Sequence, residues 1–165
     1  LEAAEAGLRI AREAGVITIL NPAPAAELSD QMLVLCDWIT PNESEAELLT
    51  GIAVTDLASA TAAAEALLAR GVGGVIVTLG GMGALLHDGT ATTHIPAIKA
   101  GEVAETTGAG DAFNGGFATA LAAGMQLPEA LRFATATAAI SVTRAGAAAS
   151  MPMQAEVEAL LAAHG

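Results

Sequence analysis

The stretch Glu105-Thr106-Thr107-Gly108-Ala109-Gly110-Asp111-Ala112-Phe113-Asn114-Gly115-Gly116 decides how the chain is read. Glycines and other small residues run straight into an Ala-rich helical pattern that starts near Asp111. A glycine loop that opens a helix leaves backbone N–H groups without intrahelical partners. Those amides and the positive end of the helix dipole together form an anion site. Asp111 does not fit a simple phosphate cradle, because its carboxylate repels a phosphate. It fits if it serves as a base beside the phosphoryl group, which is what transfer to an alcohol requires. The structural alternative is an N-capping loop whose aspartate satisfies its own helix. Both readings stand on this stretch alone.

Composition narrows the classes. The chain has 165 residues, 53% hydrophobic and 15% charged, which suits one domain with a sizeable core rather than a disordered segment. Six Lys and Arg face 18 Asp and Glu, for a net charge of −12. That balance argues against nucleic acid and anionic membrane surfaces as partners. It leaves a nucleotide open, because a neutral glycine loop binds phosphate locally. Cys36 is the only cysteine, so an intrachain disulfide and a Cys-based zinc site are excluded. A reducing compartment, the cytoplasm, fits this usage. No apolar run reaches transmembrane length.

Moving outward, strands and helices alternate. Leu1, Ala4, Leu8 and Ala11 lie on one helical face, and Gly15 ends that helix. No capping residue precedes it, so the chain reads as the C-terminal piece of something longer. Val16–Leu20, Leu33–Ile39 and Gly74–Leu79 read as buried strands, and a short helix is expected over Ala26–Met32. Cys36 and Trp38 read as core. Asp88-Gly89 between Ala84–His87 and Thr90–Ile95 signals a hairpin. Further helices are expected after the Thr40–Glu45 junction, running through Leu48 and Leu49 and stopping at Gly51, from Asp56 to Arg70, and over Asp111–Ala123, Pro128–Arg144 and Met153–Ala163. This order predicts an α/β fold: three layers, a mostly parallel sheet, helices on both faces.

Ligands of such sheets bind beyond the C-terminal ends of the strands. Asn21, Asn42, Gly80 and Gly110 all follow strands or lead-ins at that edge, which favours a nucleotide site. Asn42 and Glu45, three apart, read either as a capping box or as a polar pair aimed at a metal–phosphate group. Gly80-Gly81-Met82-Gly83 reads as a tight turn or as a loop that a ligand approaches closely. A dehydrogenase-type dinucleotide site is disfavoured, since no strand–Gly-x-Gly-x-x-Gly–helix unit is present.

The Glu105–Asp111 signature, Asn42-x-x-Glu45 and the run Val142-Thr143-Arg144 to Ser150 resemble the C-terminal half of the PfkB carbohydrate kinases. Within that family the Asn21-Pro22-Ala23-Pro24-Ala25 and Thr40-Pro41-Asn42-Glu43 stretches are most similar to the ribokinase branch. The resemblance implies a ribokinase-like fold, with residues 1–165 as its C-terminal nucleotide-binding and catalytic portion. It implies ATP-dependent phosphorylation of ribose at O5. Asp111 would be the base, and the amides of Gly108, Ala109 and Gly110 the anion hole. Asn42 and Glu45 would hold Mg²⁺–triphosphate through water. Thr78, Gly80, Gly81, Met82 and Gly83 would line the nucleotide, with Thr135 near the adenine.

The same resemblance implies a K⁺ site from Glu105, Thr107, Ser141, Arg144, Gly146 and Ser150, mostly through carbonyls. Two positions depart from the pattern: Glu105 replaces the usual Asp, and Thr135 stands where Asn or His is frequent. Most sugar contacts and a dimer-forming lid belong to the N-terminal half of the family fold. Residues 1–165 alone are therefore expected to bind ATP weakly at best and not to phosphorylate sugar usefully. The alternatives are a related kinase for fructose, a keto sugar acid or a nucleoside, and a nucleotide-binding piece without catalysis.

Overall fold

A computed structural model describes residues 1–164. The chain divides into two compact units, one of Leu1–Leu79 with Leu85–His94, the other of Gly80–Ala84 with the chain from Ile95 onward.

The first unit carries a mixed five-stranded sheet in the order β1 (Ile19–Leu20), β2 (Trp38–Ile39), β3 (Gly74–Thr78), β4 (Ala84–His87), β5 (Thr92–Ile95). The first three strands are parallel, in register Ile19 to Trp38, Leu20 to Ile39, Trp38 to Gly74 and Ile39 to Val75. Such pairing needs crossovers, and helices supply them. α1 (Glu2–Glu13) precedes the sheet, α2 (Asp30–Leu33) lies between β1 and β2, and α3 (Glu43–Thr50) and α4 (Leu57–Ala69) lie between β2 and β3. Val75, Ile76 and Val77 are fully buried, and Ala60, Ala63, Ala64 and Leu67 of α4 belong to the same core as Val75 and Val77. β4 and β5 form the hairpin predicted at Asp88-Gly89.

Two strands are shorter than the apolar runs suggest. Val16 and Ile17 are more than half exposed, and pairing begins only at Ile19. Ser29 caps α2 through Met32 N–H at 3.2 Å, and the turn continues from Leu33 through Cys36, where Cys36 N–H donates to Leu33 O at 3.0 Å. Leu33 and Cys36 are buried as expected, but on a helical turn rather than in a strand. The helix expected over Ala26–Met32 is accordingly displaced to Asp30–Leu33. The edge strand is tied to its neighbour by a reciprocal pair: Thr18 N–H donates to Asp37 Oδ2 and Asp37 N–H donates to Thr18 Oγ1, both at 2.8 Å.

Arg70 closes the helix side of this unit. Its guanidinium donates to Asp30 Oδ1 at 2.7 Å, Leu49 O at 2.8 Å and Leu28 O at 2.6 Å. Truncation leaves two carbonyls without their charged donor. Arg70→Ala is expected to cost about 2 kcal/mol of stability; a shift of the urea midpoint checks it. Asp88 holds the hairpin turn through Ala91 N–H, the Thr90 hydroxyl and Thr90 N–H, which depress its pKa to about 2. A depressed folded pKa stabilises fully above the unfolded value of about 4 and loses that contribution as pH falls. The Asp88 carboxyl carbon should therefore titrate near pH 2 by NMR, with the Ala91 amide shifting alongside.

The second unit is helical: α5 (Ala109–Ala122), α6 (Leu127–Ser141) and α7 (Gln154–Ala163). α5 and α6 pack closely at Gly116, where a Cβ would lie 2.6 Å from Thr137 Oγ1 and 3.0 Å from Ala134 Cα. No helix among the described residues is long and apolar enough to cross a membrane.

Candidate active site

α5 starts two residues before the expected point. Gly108, at φ +79°, is its N-cap and makes no side-chain cap. Asp111 occupies the third helical position, is exposed, and has no hydrogen bond or ion pair among the described residues. The capping reading of Asp111 is therefore not what the structure shows. The side chain that does brace the first turn is Asn114, whose Nδ2 donates to Gly110 O at 2.9 Å. Of the three amides expected to face an anion, that of Ala109 donates to Thr106 O at 3.1 Å. Those of Gly108 and Gly110 have no acceptor among the described residues.

The loop that follows α6 packs on this turn. Ala104 and Glu105 N–H both donate to Val142 O, at 2.8 and 3.2 Å. Glu105 Oε2 accepts the Gly146 N–H at 2.8 Å. That amide first, and the Thr107 hydroxyl second, hold the Glu105 carboxyl below the usual carboxylate range. A Cβ on Gly108 would lie 3.2 Å from both Cα and Cβ of Ala147. Ser150 is fully buried and its hydroxyl donates to Ala147 O at 2.7 Å; the Ser141 hydroxyl donates to Ala138 O at 2.8 Å. The Arg144 guanidinium, which has no acceptor, pairs with Glu156, so the carbonyl is the atom Arg144 could offer a cation. By residue type, Glu105, Thr107, Ser141, Arg144, Gly146 and Ser150 carry a carboxylate, hydroxyls and carbonyls, the hard-oxygen chemistry that a K⁺ ion takes.

Thr135, on α6, has a buried hydroxyl with no partner among the described residues. Two residues on, Thr137 returns its hydroxyl to Phe133 O at 2.8 Å. An orphaned buried hydroxyl is the kind of atom a ligand satisfies.

In the first unit, the β2–β3 register places Asn42 beside Thr78 as a parallel bridge, with Thr78 N–H donating to Pro41 O at 2.9 Å. Asn42 and Glu45 form a complete capping box. Asn42 Oδ1 accepts from Glu45 N–H and Glu45 Oε2 from Asn42 N–H, both at 2.9 Å. The structural reading of this pair holds, and it leaves Asn42 Nδ2 and the second Glu45 oxygen unassigned. No group of three His, Cys, Asp or Glu among the described residues is arranged to hold a metal ion.

The Gly80–Gly83 loop divides by residue. Gly80–Met82 is a single 3₁₀ turn in which Gly81 has open space around it. Gly83, at φ +96°, abuts the backbone of Ile95, Pro96 and Ala97. Sequence reasoning missed Asn114, Ala147 and Glu156 as supports of the site. Ala147 and Glu156 act on partners that only the folded loop brings near, whereas Asn114 reaches Gly110 one helical turn away, and a lone Asn carries no signal of that bond.

The sequence profile of the pfkB family carbohydrate kinases matches residues 1–154. The chain belongs to that family. It is 46% identical over 156 residues to a ribokinase of Haemophilus influenzae, covering 94% of this chain and 51% of that protein. It is 38% identical over 153 residues to a deoxyribokinase of Salmonella typhi, covering 92% and 50%. The structure of Arabidopsis thaliana ribokinase complexed with ribose and ATP superposes with a TM-score of 0.92 at 34% identity, covering 96% of this chain and 52% of that one. The fold of this PfkB chain is thus that of the solved ribokinases. The chain spans about half the length of the curated relatives it matches.

Proposed function

We propose that this chain carries the nucleotide and phosphoryl-handling half of an ATP-dependent sugar kinase that phosphorylates D-ribose at O5. The observation that carries the reading is Asp111, an unpartnered carboxylate on the first turn of a helix whose cap is a left-handed glycine with an open amide. The likeness to ribokinases supports the substrate class.

In the proposed step the ribose O5 proton passes to Asp111 while O5 forms its bond to the γ-phosphorus. The bond from that phosphorus to the β–γ bridging oxygen breaks, and ADP leaves. Gly108 and Gly110 amides stabilise charge on the transferring group, joined by Ala109 when its amide leaves Thr106. Asn42 and Glu45 would hold Mg²⁺ through water. Thr78 and the Gly80–Gly83 backbone bound the nucleotide, and Thr135 offers its hydroxyl to the base. Mg²⁺, when bound, would supply charge neutralisation at the phosphates, and K⁺ would lie among Glu105, Thr107, Ser141, Arg144, Gly146 and Ser150.

A coupled ADP-release assay tests this on the chain joined to the N-terminal half of the Haemophilus influenzae ribokinase. The acceptor panel is ribose, 2-deoxyribose, fructose and a nucleoside. Ribose-dependent turnover of about 1 per second or faster is expected. A preference for 2-deoxyribose would favour the second reading, which the likeness to a deoxyribokinase motivates. No acceptor-dependent ADP release from a folded, ATP-binding chimera removes the kinase reading.

A further inference from the structure

Glu105 is joined to the anion-hole turn through a short chain of contacts. Its carboxylate accepts the Gly146 N–H at 2.8 Å, across 41 residues of sequence. The next residue, Ala147, lies against Gly108, where a Cβ would come within 3.2 Å of its Cα and Cβ. Gly108 O in turn accepts the Ala112 N–H at 2.8 Å, the bond that starts α5. The far side of the loop is held by Ser150, fully buried, through Ala147 O.

We infer that Glu105 is a positioning residue: its carboxylate clasps Gly146, and the clasped loop seats Ala147 against Gly108, fixing the amides that open α5. The catalytic consequence rests on the kinase reading given above; the clasp itself does not. The physical reason is leverage at a residue without a side chain. Gly108 has no Cβ of its own to hold it in the left-handed conformation, so an external wall restricts it. Ala147 is that wall, and a side-chain oxygen that accepts the neighbouring Gly146 N–H fixes the loop that carries it. The role differs from that of a cation ligand, because it needs an acceptor oxygen and not a negative charge.

The test uses residue-resolved amide hydrogen exchange by NMR on the chain itself, first in choline chloride and then in potassium chloride. The reporters are Gly146, Ala109 and Ala112. Glu105→Ala is expected to speed exchange at all three by about tenfold, while amides of β3 keep their rates. Glu105→Gln keeps an acceptor oxygen and should stay within about threefold of the parent in choline chloride. Ala147→Gly should speed Ala112 by about tenfold and leave Gly146 within about threefold.

Ala112 unchanged in Glu105→Ala or in Ala147→Gly overturns the proposal. So does Glu105→Gln exchanging as fast as Glu105→Ala, which is the outcome of a purely ionic, cation-holding role. Should Glu105→Ala fail to fold, the Gln and Ala147→Gly arms decide by the same criteria. In the active chimera, Glu105→Ala should lower kcat with KM for ATP held within about threefold, and Glu105→Gln should recover most of kcat. A change confined to KM also overturns it. A chimera without kinase activity leaves the exchange results standing, so the two readings fail separately.

Discussion

Asp111→Asn is expected to reduce sugar-dependent ADP release by about a hundredfold or more while ATP binding stays within about twofold. The change is isosteric and removes the negative charge together with the ability to take a proton. Asp111 is exposed and has no hydrogen bond or ion pair among the described residues, so no structural contact is lost. The helix start stays intact, because it rests on Gly108 as cap and on Asn114 donating to Gly110 O. A carboxylate near phosphate is unfavourable for binding, so neutralising it should not weaken the nucleotide complex. Coupled assay and calorimetry on the chimera measure the two quantities separately. Turnover like that of the parent would remove Asp111 from the mechanism and leave its placement without a chemical purpose.

Gly83→Ala is expected to destabilise the protein by about 4 kcal/mol or more, whereas Gly81→Ala changes stability by less than about 1 kcal/mol. Gly83 is buried at φ +96°, where an L side chain is already strained. A Cβ there would also sit 2.1 Å from Ile95 O, 2.6 Å from Ala97 N and 2.7 Å from Pro96 C. All three are backbone atoms, so relief requires moving the chain after β5 and not rotating a side chain. Gly81 has nothing within 4 Å of a Cβ and no positive φ. Urea denaturation of the two variants side by side measures the contrast. If Gly81→Ala instead abolishes nucleotide binding in a stable fold, that glycine serves the ligand and Gly83 the backbone. Equal stability of both variants would refute the packing argument.

Local chemistry was legible in the sequence. The Asn42–Glu45 capping box, the Asp56 cap of α4 and the Asp88-Gly89 hairpin turn are formed by residues within a few positions of each other. Their geometry follows from backbone preferences and short-range hydrogen bonds, and the Gly108–Asp111 turn belongs to the same kind. The alternation of strand and helix was readable because continuous apolar runs and helical spacing differ in period.

Tertiary structure decided what depends on a distant partner. The apolar runs at Val16–Leu20 and Leu33–Ile39 have the composition of strands, but a strand extends only as far as a neighbour pairs with it, and here that is two residues in each. Ser29 captured Leu33 into a helical turn that composition alone assigned to a strand. In the candidate site, the sequence by itself shows which residues bear carboxylates, hydroxyls and glycine amides. Only the folded loop decided that the Glu105 carboxylate meets the Gly146 amide, that Ala147 backs Gly108, and that Thr135 keeps a buried hydroxyl without a partner. Those contacts join residues far apart in the chain, and no periodicity or motif encodes a distance that packing alone sets.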